Sequence, residues 1–373
     1  MVRTRPLLCV CAAITLIACR REPTATPDTT ASSEVLKAKP VTFPAPTGDP
    51  LTQAQLDRAV ITKLEERNDF HWDWMDLRTL WSATLFNDHS VSIGYKPTGA
   101  GSIDGMLATI DIRASEWRSV HDALLDLVLT GLNNGSRTPV TLRDILVEDD
   151  PVLPIITLRL TDKNVITQLF NLENVRYIEP LDYWPAVASG DRSATGCSPS
   201  PYALHSAAPT PLTPNAKLPW NFSNHNIPTA WASAQGAGIT VGVIDAGLSA
   251  TQPLLSSDFN NGDSNVGRSV STSATFGTTA YNSCSHGNSM SALATAPRNN
   301  TGAATGVAYK SGLRFIRAAE DVILDLSSER TAVKNALIAL GNDPAVRVIS
   351  ISMGTPFSYT ALSDGVNYAY DNG

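Results

Sequence analysis

The stretch Gly236-Ala-Gly-Ile-Thr-Val-Gly-Val-Ile-Asp-Ala-Gly-Leu248 constrains this chain more than any other. Its centre, Ile239 to Ile244, is a short apolar run rich in β-branched residues, which predicts a strand buried on both faces of a parallel sheet. The run ends in a carboxylate, Asp245, followed by Gly247. Open α/β folds gather their ligands and reactive groups at the carboxyl ends of strands, so Asp245 is a candidate site residue. An aspartate there can equally cap a following helix, and this stretch alone leaves both readings open. A second stretch, Ser283-Cys-Ser-His-Gly-Asn-Ser-Met290, favours the first, because His286 and Gly287 stand at a predicted helix start.

The 373 residues suffice for two modest domains with linkers. The formal charge is −7 and unevenly placed. Leu51 to Pro185 carries 20 acidic against 12 basic residues, and Pro219 to Gly373 carries 10 against 8. Nucleic-acid binding needs clustered Lys and Arg, so no nucleic-acid partner is expected.

The N-terminus reads as an export signal over residues 1–19. Arg3 and Arg5 precede an apolar run, Pro6 to Ala18, that is too short to span a bilayer. Leu16-Ile17-Ala18-Cys19 resembles the bacterial lipoprotein cleavage motif, which makes Cys19 the expected lipidation site and a lipid the expected membrane contact. The expected location is the bacterial cell envelope; an ordinary secretory signal is the other reading. With Cys9 and Cys11 inside the signal, only Cys197 and Cys284 remain, and in an exported chain they form a possible disulfide.

Residues 20–50 are rich in Pro, Thr, Ser and Ala and predict a disordered tether. Thr52-Gln-Ala-Gln55 is a capping box opening a helix with Leu56, Val60 and Leu64 on one stripe. Trp72 to Trp81 predicts a continuing aromatic-rich helical segment. Ser90 to Lys96, Ala108 to Ile112, Leu153 to Leu160 and Val175 to Ile178 predict strands, with helices after Ser115 and Asp162. That order suggests a small α+β sandwich of the split βαβ type within 51–185. Residues 186–218 read as a linker. Beyond Pro219, strands at Ile239–Ile244, Gly312–Arg317 and Arg347–Ser352 alternate with helices after His286, from Glu329 to Leu340, and up to Asp371. This alternation predicts a doubly wound α/β domain over 219–373, cut short because it stops on a helix.

Four motifs in order give these elements a family resemblance. Pro219-Trp-Asn, Ile227-Pro-Thr-Ala-Trp231 and Val243-Ile-Asp245-Ala-Gly resemble the opening of the subtilisin-like serine peptidases, where an aspartate closes the first strand as V-I-D-T-G. Ser285-His286-Gly287 resembles the histidine motif H-G-T-H-V-A-G. Asn299-Asn-Thr-Gly and Gly306-Val-Ala308 resemble the following turn, and Val348-Ile-Ser-Ile-Ser-Met-Gly354 resembles the strand that pairs with substrate. The resemblance implies that Asp245 orients His286, that His286 is the general base, and that Ser350, Ser352, Met353 and Gly354 hold a protein or peptide backbone. It further implies that the segment ending Val175-Arg-Tyr-Ile-Glu-Pro-Leu-Asp182 is an inhibitory prodomain, the chain's own partner. Asp245 before His286 fits the Asp, His, Ser order of that family. Calcium is common in the family; here the sequence indicates no metal ligand cluster and no cofactor.

Three departures qualify the resemblance. Ser289 stands for the motif's second histidine, Ala292 for its last glycine and Tyr309 for the usual proline. The family's serine motif, G-T-S-M-A, and its oxyanion asparagine motif do not occur in these residues. The expectation is an endopeptidase precursor truncated before its nucleophile and inactive as it stands. Gly287-Asn-Ser-Met-Ser291 mimics the serine motif and makes Ser289 a minor nucleophile candidate. The alternative from another class is a catalytically dead surface lipoprotein that binds peptides or proteases.

Overall fold

The computed structural model describes residues 35–185, 197 and 210–373. The export signal, Cys19 and most of the linker lie outside the described residues. The elements run α1 (Gln53–Arg67), α2 (Leu77–Thr84), β1 (Ser90–Tyr95), α3 (Ser115–Asn133), α4 (Leu142–Ile145), β2 (Leu146–Asp149), β3 (Ile155–Arg159), α5 (Lys163–Phe170) and β4 (Val175–Pro180). There follow β5 (Thr210–Leu212), β6 (Ala216–Leu218), α6 (Ile227–Ala230), β7 (Thr240–Asp245), β8 (Val270–Ala274), α7 (His286–Thr295), β9 (Gly312–Arg317), α8 (Ser327–Gly341), β10 (Val346–Ile351) and α9 (Thr360–Asn372).

The first nine elements build an antiparallel sheet of order β2-β3-β1-β4, the split βαβ arrangement. The register Ile93 to Ile156 and Ile178 puts apolar side chains together on one face of the sheet. The other face is unusually polar: Ser92 pairs with Thr157 and with Glu179. Ser92 is nonetheless buried, because α8 and α9 of the second domain cover that face.

Three expectations about this half give way to the structure. The aromatic segment is not one helix: a 3₁₀ turn at Trp72–Trp74 ends, and Asp76 then caps α2 by accepting from the Thr79 N–H at 2.7 Å. A side-chain cap competes with helix continuation, which explains the break. Ala108 to Ile112 is no strand, since local turns satisfy its backbone, with Thr109 N–H donating to Met106 at 2.9 Å. Residues 35–50 are not a free tether. Ala38 bridges to Leu172, Glu173 N–H donates to Lys37, and Lys163 reaches the Pro46 carbonyl.

The second half is a parallel sheet of order β10-β7-β9-β8. Alternate residues of β7 enter two separate cores. Ile244 packs with Ala336, Leu337 and Leu340 of α8, while Val241 and Val243 pack with Leu255, Phe259 and Met290 on the opposite face. Helices on both faces explain why the strand reads as an unbroken apolar run. The end of the expected linker belongs to this domain. Strands β5 and β6 form a hairpin, and Lys217 exchanges backbone hydrogen bonds with Ala303 and Thr305.

The domains meet through buried charge. The Glu179 carboxylate accepts from the Thr360 N–H at 2.8 and 3.0 Å and from its hydroxyl at 2.7 Å, at the start of α9. Asp182 does the same for Ser327 at the start of α8. A carboxylate at a helix N-terminus satisfies free N–H groups and complements the helix dipole. Arg176 forks onto Asp364 at 2.7 and 2.9 Å, and Lys334 bonds Asp150 with both side chains almost wholly buried. Removing one partner of such a pair leaves an uncompensated charge and costs about 3–5 kcal/mol.

Burial pushes the Glu179 carboxyl up to about 7, with nearby Asp364 adding to the rise and the Thr360 donors opposing it. Between its ordinary value of 4.5 and about 7, the folded protein therefore holds a proton that the unfolded chain has lost. That contribution to stability is complete below the lower value and is lost as pH rises through the upper one. Arg176 and Tyr359 also face this seam, and Asp364 titrates in the same direction. We expect the stability difference between wild type and Glu179→Gln to fall with rising pH across this window, by at most about 1.4 kcal/mol per pH unit. Urea unfolding at a series of pH values measures it, and a pH-independent difference would remove Glu179 as the titrating group.

Candidate active site

Strand β7 delivers Asp245 to the carboxyl edge of the parallel sheet, where it is wholly buried. Its Oδ1 accepts from the Ala246 N–H at 2.7 Å. His286 opens α7, and its Nδ1 lies 2.9 and 3.0 Å from the two Asp245 oxygens. A carboxylate can only accept, so Nδ1 carries a proton, and in the neutral ring Nε2 then holds the lone pair. Nε2 is then the atom positioned by chemistry to take a hydroxyl proton, and the imidazole is partly exposed. Burial pushes the Asp245 carboxyl above its ordinary value, while His286 and the Ala246 N–H pull it back. The ionised carboxylate thus depends on these two donors.

Two glycines make this approach possible. A Cβ on Gly287 would stand 2.1 Å from the Gly247 carbonyl oxygen, so α7 meets the turn after β7 backbone to backbone. Gly247 has φ +141°, and a Cβ there would meet the Asn282 side chain at 2.4 Å. Side chains then tie the two loops together. Asn282 donates to the Ala246 carbonyl at 3.1 Å, and Asn288 accepts from the Ser249 N–H at 3.0 Å. Leu248 and Asn282 also exchange backbone bonds with the facing loop, Leu248 to Ala280 and Asn282 to Leu248, both at 2.9 Å. Asn282 and Asn288 were not singled out from the sequence. Their only signal was proximity to His286, which does not tell a positioning amide from an exposed one.

The other candidates are placed as follows. Ser289 sits on α7 and donates to the Ser285 carbonyl at 3.2 Å, the back-bond of a helical serine. Ser350 lies inside β10 opposite Val243, and Ser352 is exposed. Met353 packs on the core beside α8, and Gly354 exchanges backbone bonds with Val322 and Leu324 at 3.0 and 2.9 Å. The polar backbone of Gly354 is therefore already engaged within the chain. Cys197 and Cys284 are joined by a disulfide, with Cα atoms 4.3 Å apart and Cys284 two residues before His286. Among the described residues, no group of three or more His, Cys, Asp or Glu is placed to hold a metal ion. The Asn299 turn closes on itself: its side chain accepts from Thr301 and Ala303 N–H and donates to the Pro297 and Ala303 carbonyls.

Residues 236–373 match the model of the subtilase family of S8 peptidases. Thermitase of Thermoactinomyces vulgaris is 30% identical over 154 residues, covering 39% of this chain and 48% of that protein. The chain thus spans about half the length of the curated relative it matches. Among solved structures, MycP1 from Mycobacterium smegmatis aligns at 18% identity over 43% of this chain and 45% of that one, with a TM-score of 0.30. The epidermin leader peptide processing serine protease of Staphylococcus aureus aligns at 13% identity over 76% and 58%, with a TM-score of 0.39.

The two glycines give a direct test of the geometry. Gly287→Ala has no room without parting α7 from the Gly247 turn. We expect a destabilisation of at least about 1–3 kcal/mol in urea unfolding, together with a lengthened Asp245–His286 contact in a crystal structure. Wild-type stability with an unchanged contact would show that the close approach is not what sets the pair.

Proposed function

We propose that residues 236–373, which match the subtilase family model, form a subtilisin-like serine peptidase domain, and that this chain is part of an exported serine endopeptidase precursor. The observation that carries the reading is the buried Asp245 bonded to His286 Nδ1 at the carboxyl edge of the parallel sheet. In the proposed chemistry Asp245 fixes the imidazole's tautomer and balances its charge. His286 takes the proton of an attacking serine hydroxyl and later returns it to the leaving amine. The substrate class is protein, in keeping with the family, and no cofactor takes part.

The N-terminal domain is proposed to be the precursor's prodomain. Supporting this are the carboxylates of Glu179 and Asp182 seated on the starts of α9 and α8, and the buried pairs of Arg176 with Asp364 and Lys334 with Asp150. Contacts of that kind help fold and hold the domain that they cover. Cleavage between the two would fall in 186–218. Export with lipid attachment at Cys19 rests on the Leu16-Ile17-Ala18-Cys19 motif alone.

These 373 residues contain no G-T-S-M-A motif, and loss of the serine from such a triad costs about 10⁶ in turnover. We therefore propose that this polypeptide by itself is inactive. The purified chain should hydrolyse no peptide ester and take up no serine-directed phosphonate. Stoichiometric labelling that Ser289→Ala abolishes would overturn this and make Ser289 the nucleophile. Export is tested separately by expression in a bacterial host. Mass spectrometry should find a diacylglyceryl-modified N-terminal Cys19, absent in Cys19→Ala, whereas an unmodified mature terminus beyond residue 19 would leave ordinary secretion.

A further inference from the structure

The Cys197–Cys284 disulfide divides the interdomain connection at a covalently defined point. Cys197 belongs to the connection that follows Pro185 and precedes the Thr210 hairpin. Its partner, 87 residues later, is buried and stands two residues before His286. Any backbone cut between Pro185 and Cys197 frees the N-terminal domain of covalent attachment. Any cut between Cys197 and Thr210 leaves that domain bonded through Cys284 to the loop that carries His286.

We propose that this disulfide is a retention link, so that a precursor cut after Cys197 keeps its N-terminal domain until the bond is reduced. The inference rests on reading the N-terminal domain as a prodomain that is cut from the peptidase domain within this connection. Two locks then act in series. The first is non-covalent, with Glu179 and Asp182 on the two helices and Lys334 on Asp150. The second is the disulfide, which ties the retained fragment to the segment that leads into His286 and keeps its effective concentration high.

Release of the second lock requires a dithiol. One of its thiolates attacks a sulfur of the Cys197–Cys284 bond and expels the other sulfur as a thiolate, which takes up a proton. The reductant's second thiol then resolves the mixed disulfide. The balance is one protein disulfide plus one dithiol giving two cysteine thiols and one cyclic disulfide, with two electrons passing from reductant to protein. The carboxylate of Asp321 lies 3.4 Å from the Cys197 sulfur. An incoming thiolate meets like charge there, and Cys284 offers almost no exposed surface, so reduction of the folded protein is slow.

The test uses the full chain in two variants, each with the recognition sequence of a sequence-specific protease, inserted between Gly190 and Asp191 or between Ala203 and Leu204. The cut comes from outside, so the result does not depend on the chain's own peptidase activity. Peptidase activity in the uncut chain would separately overturn the proposed inactivity of this polypeptide and would leave the disulfide result standing. After digestion, the 203/204 variant should run as one species under non-reducing denaturing conditions and as two with dithiothreitol. The 190/191 variant should run as two under both. In dilute native buffer, size exclusion should show the 203/204 fragment departing only after dithiothreitol. The same variant carrying Cys197→Ser should lose it without reductant. Separation of the non-reduced 203/204 variant in denaturant, or alkylation of both cysteines in unreduced protein from an exporting host, would overturn the proposal. So would retention in dilute native buffer after full reduction, since the non-covalent seam alone would then hold the domain.

Discussion

The close backbone approach of Gly287 to the Gly247 carbonyl is the contact on which the site depends. Asp245 can be delivered to the sheet edge by β7 alone, because a β-branched run pairs on both sides and ends where the chain leaves the sheet. An imidazole bonded to a fully buried carboxylate is a different matter. The ring must enter from a helix whose first turn lies against the strand's own exit turn, and only residues without a Cβ permit that. Asn282 and Asn288 then fix the two loops in register through amide bonds to backbone groups. The pair is thus held by backbone geometry first and by side chains second.

The interface between the domains follows a related logic. A four-stranded sheet with one apolar and one polar face ordinarily turns the polar face to water. Here Ser92, Thr157 and Glu179 face α8 and α9 instead. Their burial is tolerable because Glu179, Asp182, Arg176 and Lys334 each meet an opposite charge or a helix terminus. Glu179 and Asp182 take the unsatisfied N–H groups of two helix starts, and Arg176 and Lys334 take carboxylates. Desolvation remains the larger influence on Glu179, which is why its carboxyl is pushed upward despite three donors. A seam of this kind is more specific than adhesive, since mismatched partners would strand charges in it.

Where sequence patterns were strong, they located the elements well. The run Gly312-Leu-Arg-Phe-Ile-Arg317 was readable to the residue, because it is a central strand with apolar side chains on both faces. The Asp245 and His286 motifs were legible because each carries a glycine that chemistry requires nearby. Edge strand β8, Val270–Ala274, was not, since Val-Ser-Thr-Ser-Ala has no apolar periodicity and pairs only on its β9 side. The hairpin of Thr210 to Leu218 was hidden for the same reason, its order coming from bonds to residues near 303 rather than from its own composition. Residues 35–50 likewise gain their order from Asn171, Asn174 and Lys163 far along the chain. Long-range partners of polar segments leave no local trace.

The same long-range contacts join the two domains at the chain that leaves β10. Beyond Gly354 it enters the N-terminal domain's core rather than the C-terminal domain's own. Phe357 stacks edge-on against Phe70 and Trp184, with ring centroids 5.6 and 5.5 Å away. Ser358 donates its N–H to the Phe70 carbonyl and its hydroxyl to Asp69. Tyr359 is buried against the same cluster, with Arg330 lying 4.0 Å over its ring. The segment that begins as a sheet strand beside Asp245 is therefore finished by aromatic side chains contributed from residues 70 and 184. Departure of the N-terminal domain would remove those partners together, leaving Phe357 and Tyr359 exposed and the end of β10 without its anchor. Docking and the local order of the site are in this sense one packing problem, solved by residues nearly 300 positions apart in the chain.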